Sequence, residues 1–575
     1  MKFLSSGLML NDDTPAVAAI QLIFPSKSGF VTRNDFVKHR LEGCPDIVQV
    51  CSFLSPLQYL SPAKRPTDNL EFIGVFSKAI AGIKLSSSSA FSSLTAELHN
   101  RLNIPWVVPG LARRRIVWVQ GREDIDSIEC AFKAAAALGI QLVIFDEPGH
   151  WLEPSDSPWA YLREKFVQVD ITPDEGLDSR IVDAVKSYPY EVDGIVTISD
   201  VRLPAIARAC RILGLPTENP EAYDIAGDKG RTRLLENVGR SESFVLEHAD
   251  ELATFLEYHA DSLLFPLIVK PVIGWCSDCV SKVRNTDELK AAVYKASNRH
   301  ARSAKRSTSV VVEPYIDGPE VDANLVLLDG EVLFSDISDD FPSPADQQGA
   351  GSEANFQETQ NVMPSGLPSN ELDAIRDQMR DSILRQGFRS GVFHCEARVR
   401  NSRAQYAEIN GIVDLVKKGN AEDFDQPQVY LHEINARPPG YLETIAVLMA
   451  YGVDYYALRM LLAIGASEQP RLRALSQPFS KGPQFHLSLM IIQQDRSGIM
   501  KSADAAKEFL DAHPSFGSHV VDYYTRKKGG DILEGPDATE LWWIAYFSVI
   551  DRASRRSLLE RVEFVQQNFK YEVEE

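Results

Sequence analysis

Apolar and polar positions along this chain do not keep a single period. Over residues 1–110, short apolar runs (AAIQLIF, IVQVCSF and EFIGVF) are broken by proline- and serine-rich pieces that end near LSSSSAFSS. They predict three strands of an N-terminal α/β accessory domain. From RRIVWVQ (114–120) the texture becomes regular. Apolar runs of strand length, RRIVWVQ, QLVIFDEPG and DGIVTISD, alternate with stretches of helical spacing at 124–138 and in RLPAIARACRILGLP. Such alternation predicts βαβ units around a parallel sheet over residues 111–225.

A helical stretch, DKGRTRLLENVG, opens the next module at Asp228 and stops at Gly239, where glycine tolerates the backbone of a helix end. Residues 226–480 then carry strands in FPLIVKP, SVVVEPYI, VDANLVLLDGEVLFSD, GVFHCEARVR and QVYLHEINAR, with helical patterns in ELKAAVYKAS and NELDAIRDQMRDSILRQG between them. Residues 481–575 (FHLSLMIIQ, ADAAKEFLDAH, SHVVDYY, WWIAYFSVID, SRRSLLERVEFVQQ) predict a small C-terminal α+β subdomain. The whole is a multidomain α/β and α+β chain, as 575 residues at ordinary domain sizes require.

Composition narrows the function. The chain is 44% hydrophobic and 24% charged, with a formal net charge of −20. That balance disfavours a nucleic-acid or anionic-membrane partner, since no basic surplus exists to replace phosphate counterions. Seven cysteines make no disulfide framework at this length, and neither the N-terminal run nor LWWIAYFSVI reaches membrane-spanning length. The expectation is a soluble cytoplasmic protein.

Several motifs lack the context their chemistry needs. GAGSEA (349–354) follows a loop rather than a strand, and no phosphate loop of the GxxxxGK[ST] type is present. Cys276 and Cys279 form an isolated CxxC that reads as structural. What remains is an ordered set of polar residues on apolar strands. Lys270 ends an apolar strand, where it either snorkels to the surface or meets an anion, and the loop GWCSDC after it offers backbone N–H groups to phosphates. VVVEPYIDGPE places Glu313 and Glu320 around a proline-containing bend, either an ordinary hairpin with surface acids or a hinge against a nucleotide.

Period-two alternation puts His394 and Glu396 on one face of a strand, and Glu433, Asn435 and Arg437 on one face of another that stops at Pro-Pro-Gly. Carboxylates and an amide converging from neighbouring strands suit a hard divalent cation, which takes oxygen ligands and is completed by water and phosphate. A second Glu-Ile-Asn, at Glu408 and Asn410, lacks the arginine and the stop, so residues 399–429 read as an enlarged connection between the two strands.

In this order the motifs resemble the ATP-grasp superfamily, in particular its carboxylate–amine ligases of the carnosine-synthase and bacterial L-amino-acid-ligase kind. The resemblance covers roughly residues 114–575 and rests on Asp228–Lys229, Lys270–Pro271, VEPYIDGPE, HCE and EINARPPG. It implies an ATP-grasp fold with a pre-ATP-grasp domain before it, and ATP and Mg²⁺ (with Mn²⁺ as a substitute) as cofactors. Lys229, Lys270 and Ser277 would meet the phosphates, Glu313, Pro314, Tyr315 and Ile316 the adenine, and Glu320 the ribose. Glu396, Glu433 and Asn435 would ligate the metal, and Arg437 would steady the transferred phosphate beside Gly440. Glu358 is either a solvated loop acid or the partner of a substrate ammonium. A homodimer is the family's common form.

The reaction implied is amide formation between small carboxylate and amine substrates, amino acids foremost, through an acyl phosphate with release of ADP and phosphate. Two alternatives keep the fold: a ligase for bicarbonate or formate, and a nucleotide-binding regulatory protein without turnover. The second is motivated by WCSDC, where the family carries glycines and where Asp278 would repel phosphates unless turned away.

Overall fold

The computed structural model describes residues 19–62, 74–236, 243–274, 276–302, 306–347, 349–351, 354–419, 426–536 and 543–574. The N-terminal region forms two small antiparallel sheets. In one, Ala81–Leu85 lies between Ala19–Ile23 and Ile47–Ser52; in the other, Gly29–Val31 lies between Tyr59–Leu60 and Val107–Val108. The strand expected at EFIGVF is absent: residues 74–76 are helical, and 71–73 lie outside the described residues. The fully buried AGIKL segment takes the central position instead.

Residues 114–196 build the expected parallel sheet, in the order Gly194–Val196, Arg114–Val119, Ile140–Asp146, Lys165–Gln168. Its first helix starts later than the spacing predicts, at Glu129, because the Asp124 carboxylate accepts the Ser127 N–H in a turn. The helix expected from Asp228 runs Lys229–Glu236, and Gly239 lies outside the described residues.

Two further sheets follow. The smaller has the order Phe244–Leu246, Val310–Pro314, Leu267–Pro271, Ser281–Val283, and buries its apolar side chains under the helix Thr286–Arg299. The larger is an eight-stranded antiparallel sheet, in the order Gln428–Asn435, Gly391–Arg400, Glu320–Leu328, Glu331–Asp340, Gln360–Met363, His486–Gln493, Trp543–Asp551, Val520–Thr525. Its last three strands come from the C-terminal stretch. The central sheet therefore runs on into that region through Gln360–Met363, whose Gln360 sits opposite Met490.

One core joins the N-terminal region to the rest: Phe36, Ile83, Trp118, Phe132, Tyr455 and Leu487 belong to a single buried cluster. Buried arginines pin the seam by satisfying orphan carbonyls. Arg40 Nη1 donates to Gly452 O at 3.0 Å and Gln477 O at 2.8 Å, and Arg471 Nε donates to Thr32 O at 2.9 Å. Among the described residues no single helix is long and apolar enough to cross a membrane.

Candidate active site

The two sheets face each other across a cleft lined by Lys270, Glu313 and Ile316 on one side and by Glu320, Asp322, Glu396 and Glu433 on the other. Register explains how the acids meet. Glu433 is directly opposite Glu396, which is directly opposite Asp322. One step along, Asn435 faces His394, which faces Asn324. Directly opposed residues project from the same face of a sheet, so these rows form one polar surface. The pairing skips His432, a bulge that lets Leu431 and Ile434 both enter the core while Glu433 stays on the cleft side.

Cations stand over this surface. The Lys229 ammonium pairs with Glu433 and donates to Gly274 O at 2.9 Å. Lys270, 6% exposed, is 2.7 Å from Glu313 Oε1, and Arg233 Nε is 2.7 Å from Glu313 Oε2. The apolar-strand lysine thus meets an anion rather than the surface. Burial alone would raise the Glu313 carboxyl, but Arg233 and Lys270 hold it down, at about 2. Burial opposes the ionisation of Glu433 as well, and Lys229 outweighs it.

The rest of the surface is crowded with negative charge. Asp322 is driven well above the carboxylate range by burial and by Glu443, Asp340, Glu396 and Glu358. Its Oδ2 accepts from Asn361 Nδ2 at 2.7 Å. Asp322, His394 and Glu443 each bring one ligand-type atom within 4.8 Å of the others. Asn324 ties this corner together, donating to Glu443 Oε1 at 2.6 Å while its Oδ1 lies 2.9 Å from His394 Nδ1. Carboxyls buried at this density relieve their repulsion by taking up protons or by holding a cation.

The other expected residues are placed as follows. Pro314 ends the strand after Glu313, the Tyr315 N–H donates to Pro266 O at 3.1 Å, and Ile316 is buried in the cleft wall. Glu320 is engaged by Arg398, whose Nε is 2.9 Å from Glu320 Oε2. Glu358 lies at the cleft with its side chain touching solvent; partial enclosure and the Glu396 charge push its carboxyl up to about 7. Arg437 reaches away from the strand row to Asp200 of the parallel-sheet region, Nε to Oδ2 2.7 Å, and Gly440 precedes the helix Tyr441–Tyr451.

In the loop after Lys270, Cys276, Ser277 and Cys279 all take left-handed backbone (φ 54°, 51° and 59°), the conformation glycine usually supplies. Ser277 is exposed at the cleft. Asp278 is 7% exposed and its carboxylate is paired with Arg299, so it does not confront the cleft as a free charge. Both loop cysteines are free thiols.

The rival Glu-Ile-Asn segment sits in a hairpin of Ala404–Ile409 with Ile412–Lys417, its turn made by Asn410 (φ 52°) and Gly411 (φ 77°). Glu408 and Asn410 are exposed. Asp322, Asn324, Asp336 and Asp340 were not among the expected site residues, although E-V-D-A-N alternates polar and apolar positions within a strand that was expected. Asp200, Arg233 and Glu443 carry no local signal; only the fold brings them in.

Two family models match the chain, an ATP-grasp N-terminal domain over residues 132–217 and an ATP-grasp domain over residues 263–414. With the sheets and cleft above and the relative described next, they define the class: the chain belongs to the ATP-grasp enzymes. Its relatives narrow this further. It is 35% identical to the ATP-grasp enzyme fsqD of Aspergillus fumigatus over 97% of its own length and 98% of the relative's, N-terminal region included. It is 23% identical to carnosine synthase 1 of Mus musculus over 66% of its length, spanning 43% of that protein. Among solved structures, the L-amino acid ligase from Bacillus licheniformis shares the fold with a TM-score of 0.59 at 19% identity, covering 81% of this chain and all of that one. The ADP complex of N5-carboxyaminoimidazole synthetase from Staphylococcus aureus shares it at a TM-score of 0.52 and 13% identity, over 80% and 97% of the two chains.

Proposed function

We propose that this ligase joins an amino acid or similar carboxylate to an amine, probing neither nucleic acid nor membrane, through an acyl phosphate formed from ATP in the Lys270–Glu433 cleft. The observation that carries the reading is the Glu396–Glu433 pair, opposed on adjacent strands with Lys229 and Lys270 beside it. Hydroxide is a poor leaving group, so a carboxylate must be activated before an amine can displace anything from it. The carboxylate oxygen attacks the γ-phosphorus, the bond to the ADP oxygen breaks, and ADP leaves. The amine nitrogen then attacks the acyl carbon, phosphate departs, and the nitrogen loses its extra proton to water or phosphate.

The chain's part is placement and charge. Lys229 and Lys270 meet the phosphates, Glu313 keeps Lys270 aimed, and Pro314–Ile316 edge the adenine, with Glu320 toward the ribose and Ser277 in the covering loop. Glu396, Glu433 and Asn435 fit a magnesium ion: the donors are all oxygen-bearing, they share one face, and the surplus of acids around them lacks enough cations. Magnesium there would neutralise the phosphate oxygens. Glu358 receives the substrate ammonium, and Arg437, borne by Asp200, stands at the side where phosphate is transferred, near Gly440. The names of the relatives, carnosine synthase and L-amino acid ligase, favour amino acids as both partners. The same division serves function: residues 226–480 form the nucleotide cleft, 111–225 its Asp200 wall, and 1–110 and 481–575 its buttresses.

The test is ADP release by the purified chain that requires both Mg²⁺ and a pair of amino acids, with the amide identified by mass. ADP release with no amide from any carboxylate–amine pair overturns the proposal.

A further inference from the structure

A second cavity, of about 270 Å³, lies at the opposite end of the large sheet from the nucleotide cleft. Asp322 lines the cleft and Leu328, on the same strand, lines this cavity. Six residues of strand separate them by roughly 20 Å. The walls come from the helices Leu203–Leu213 and Tyr455–Ile464 and the segment 216–218, and are mostly aliphatic, with Ile206, Leu462 and Leu472 among them.

Three charged side chains interrupt that apolar lining: Arg459 and Glu218 within it, and Asp329 at its exposed edge. Arg459 is 9% exposed, and its Nε has no partner among the described residues. The Tyr223 hydroxyl is its hydrogen-bonding neighbour, and no carboxylate of the described residues pairs with it. An enclosed guanidinium without an anion is costly, because lost hydration is not replaced. Other buried arginines of this fold are paired or capped by carbonyls, as Arg33, Arg40 and Arg471 are. Glu218 lines the same cavity and is fixed by the backbone N–H groups of Arg389 (3.1 Å) and Ser390 (3.0 Å), one on each oxygen. Each oxygen keeps a further lone pair for another donor.

We propose that this cavity is a binding site for a free aliphatic α-amino acid, separate from the substrate cleft. Arg459 takes the carboxylate through its forked donors, Glu218 takes the ammonium, and the aliphatic walls take the side chain. A guanidinium and the Glu218 carboxylate set among aliphatic walls suit a ligand that carries both a carboxylate and an ammonium, whereas a phosphate dianion would face Glu218 and Asp329 with only one guanidinium to balance it.

The experiment is calorimetric titration of the full chain with L-leucine, 4-methylpentanoate and 3-methylbutylamine. The expected result is saturable L-leucine binding that Arg459→Met weakens at least tenfold, and that the two single-charge analogues match at least tenfold more weakly. Thr217→Trp, at the exposed rim, blocks the mouth without touching the core and removes the same binding. Both variants keep wild-type ADP affinity, which shows that they fold. Absence of saturable binding to the wild type overturns the proposal. So does L-leucine binding that survives both variants, which would place it in the nucleotide cleft, or 4-methylpentanoate binding as tight as L-leucine's.

Discussion

Glu396 and Glu433 stand directly opposite one another on adjacent antiparallel strands, on the same face of the large sheet, with the Lys229 ammonium against Glu433. Two carboxylates so placed repel unless a cation lies between or beside them. Among the described residues Glu396 has no comparable partner: the basic side chain beside it is His394, Nε2 to Oε1 3.7 Å.

Glu396→Gln separates a metal ligand from a structural acid. Turnover, read as ADP release, is expected to fall by about 10²-fold or more. Without Mg²⁺ the variant should melt at a higher temperature than the wild type, because one of several crowded like charges is gone. Its Mg²⁺-induced rise in melting temperature should vanish. A variant that is less stable and still responds to Mg²⁺ would move the metal elsewhere.

Glu313 links stability to pH. Its folded-state carboxyl is lowered from 4.5 to about 2, against burial, by Arg233 and Lys270. A lowered acid contributes its full stabilisation above the unfolded value and loses it as pH falls through the folded value. Urea unfolding between pH 5 and pH 2 should therefore show stability declining in that window, and Glu313→Gln should flatten the decline. The same variant frees Lys270, so ADP affinity should drop with it.

Asp339, 0% exposed, faces Arg555, whose Nη1 lies 2.6 Å away while its Nε reaches Asp414 Oδ1 at 2.7 Å. This arginine fastens the last helix and the 404–417 hairpin to the large sheet. Arg555→Met leaves a buried carboxylate without its cation and should cost about 3–5 kcal/mol by chemical denaturation. Adding Asp339→Asn should recover part of that loss.

Cys276 and Cys279 are free thiols carried on left-handed backbone. Replacing Cys276 and Cys279 with glycine should leave ADP binding intact and preserve or raise the melting temperature, since non-glycine residues in left-handed backbone cost about 1 kcal/mol or more each. Loss of nucleotide binding in the glycine variant would give the thiols a role of their own.

How far the site could be read from sequence depended on whether its residues shared a strand. His394 with Glu396, and Glu433 with Asn435, were legible because side-chain direction on a strand follows residue parity. The 399–429 connection was legible as an insertion, but its hairpin was not read, although Asn410–Gly411 is a sequence type whose backbone preference marks one. The EFIGVF strand was misplaced because a short apolar run has no period of its own, and the choice between it and AGIKL is made by which one the neighbouring strands enclose.

By itself the sequence determined the alternating order of strands and helices, the polar face of each strand that carries the paired acids, and the family, since these follow from spacing within single elements. Tertiary structure decided which faces met. The bulge at His432 keeps Glu433 level with Glu396, Asp200 holds Arg437 from another sheet, and Arg233 shares Glu313 with Lys270. Register, and pairing between side chains hundreds of positions apart, are set by packing energy summed over the whole fold, and no local stretch contains it.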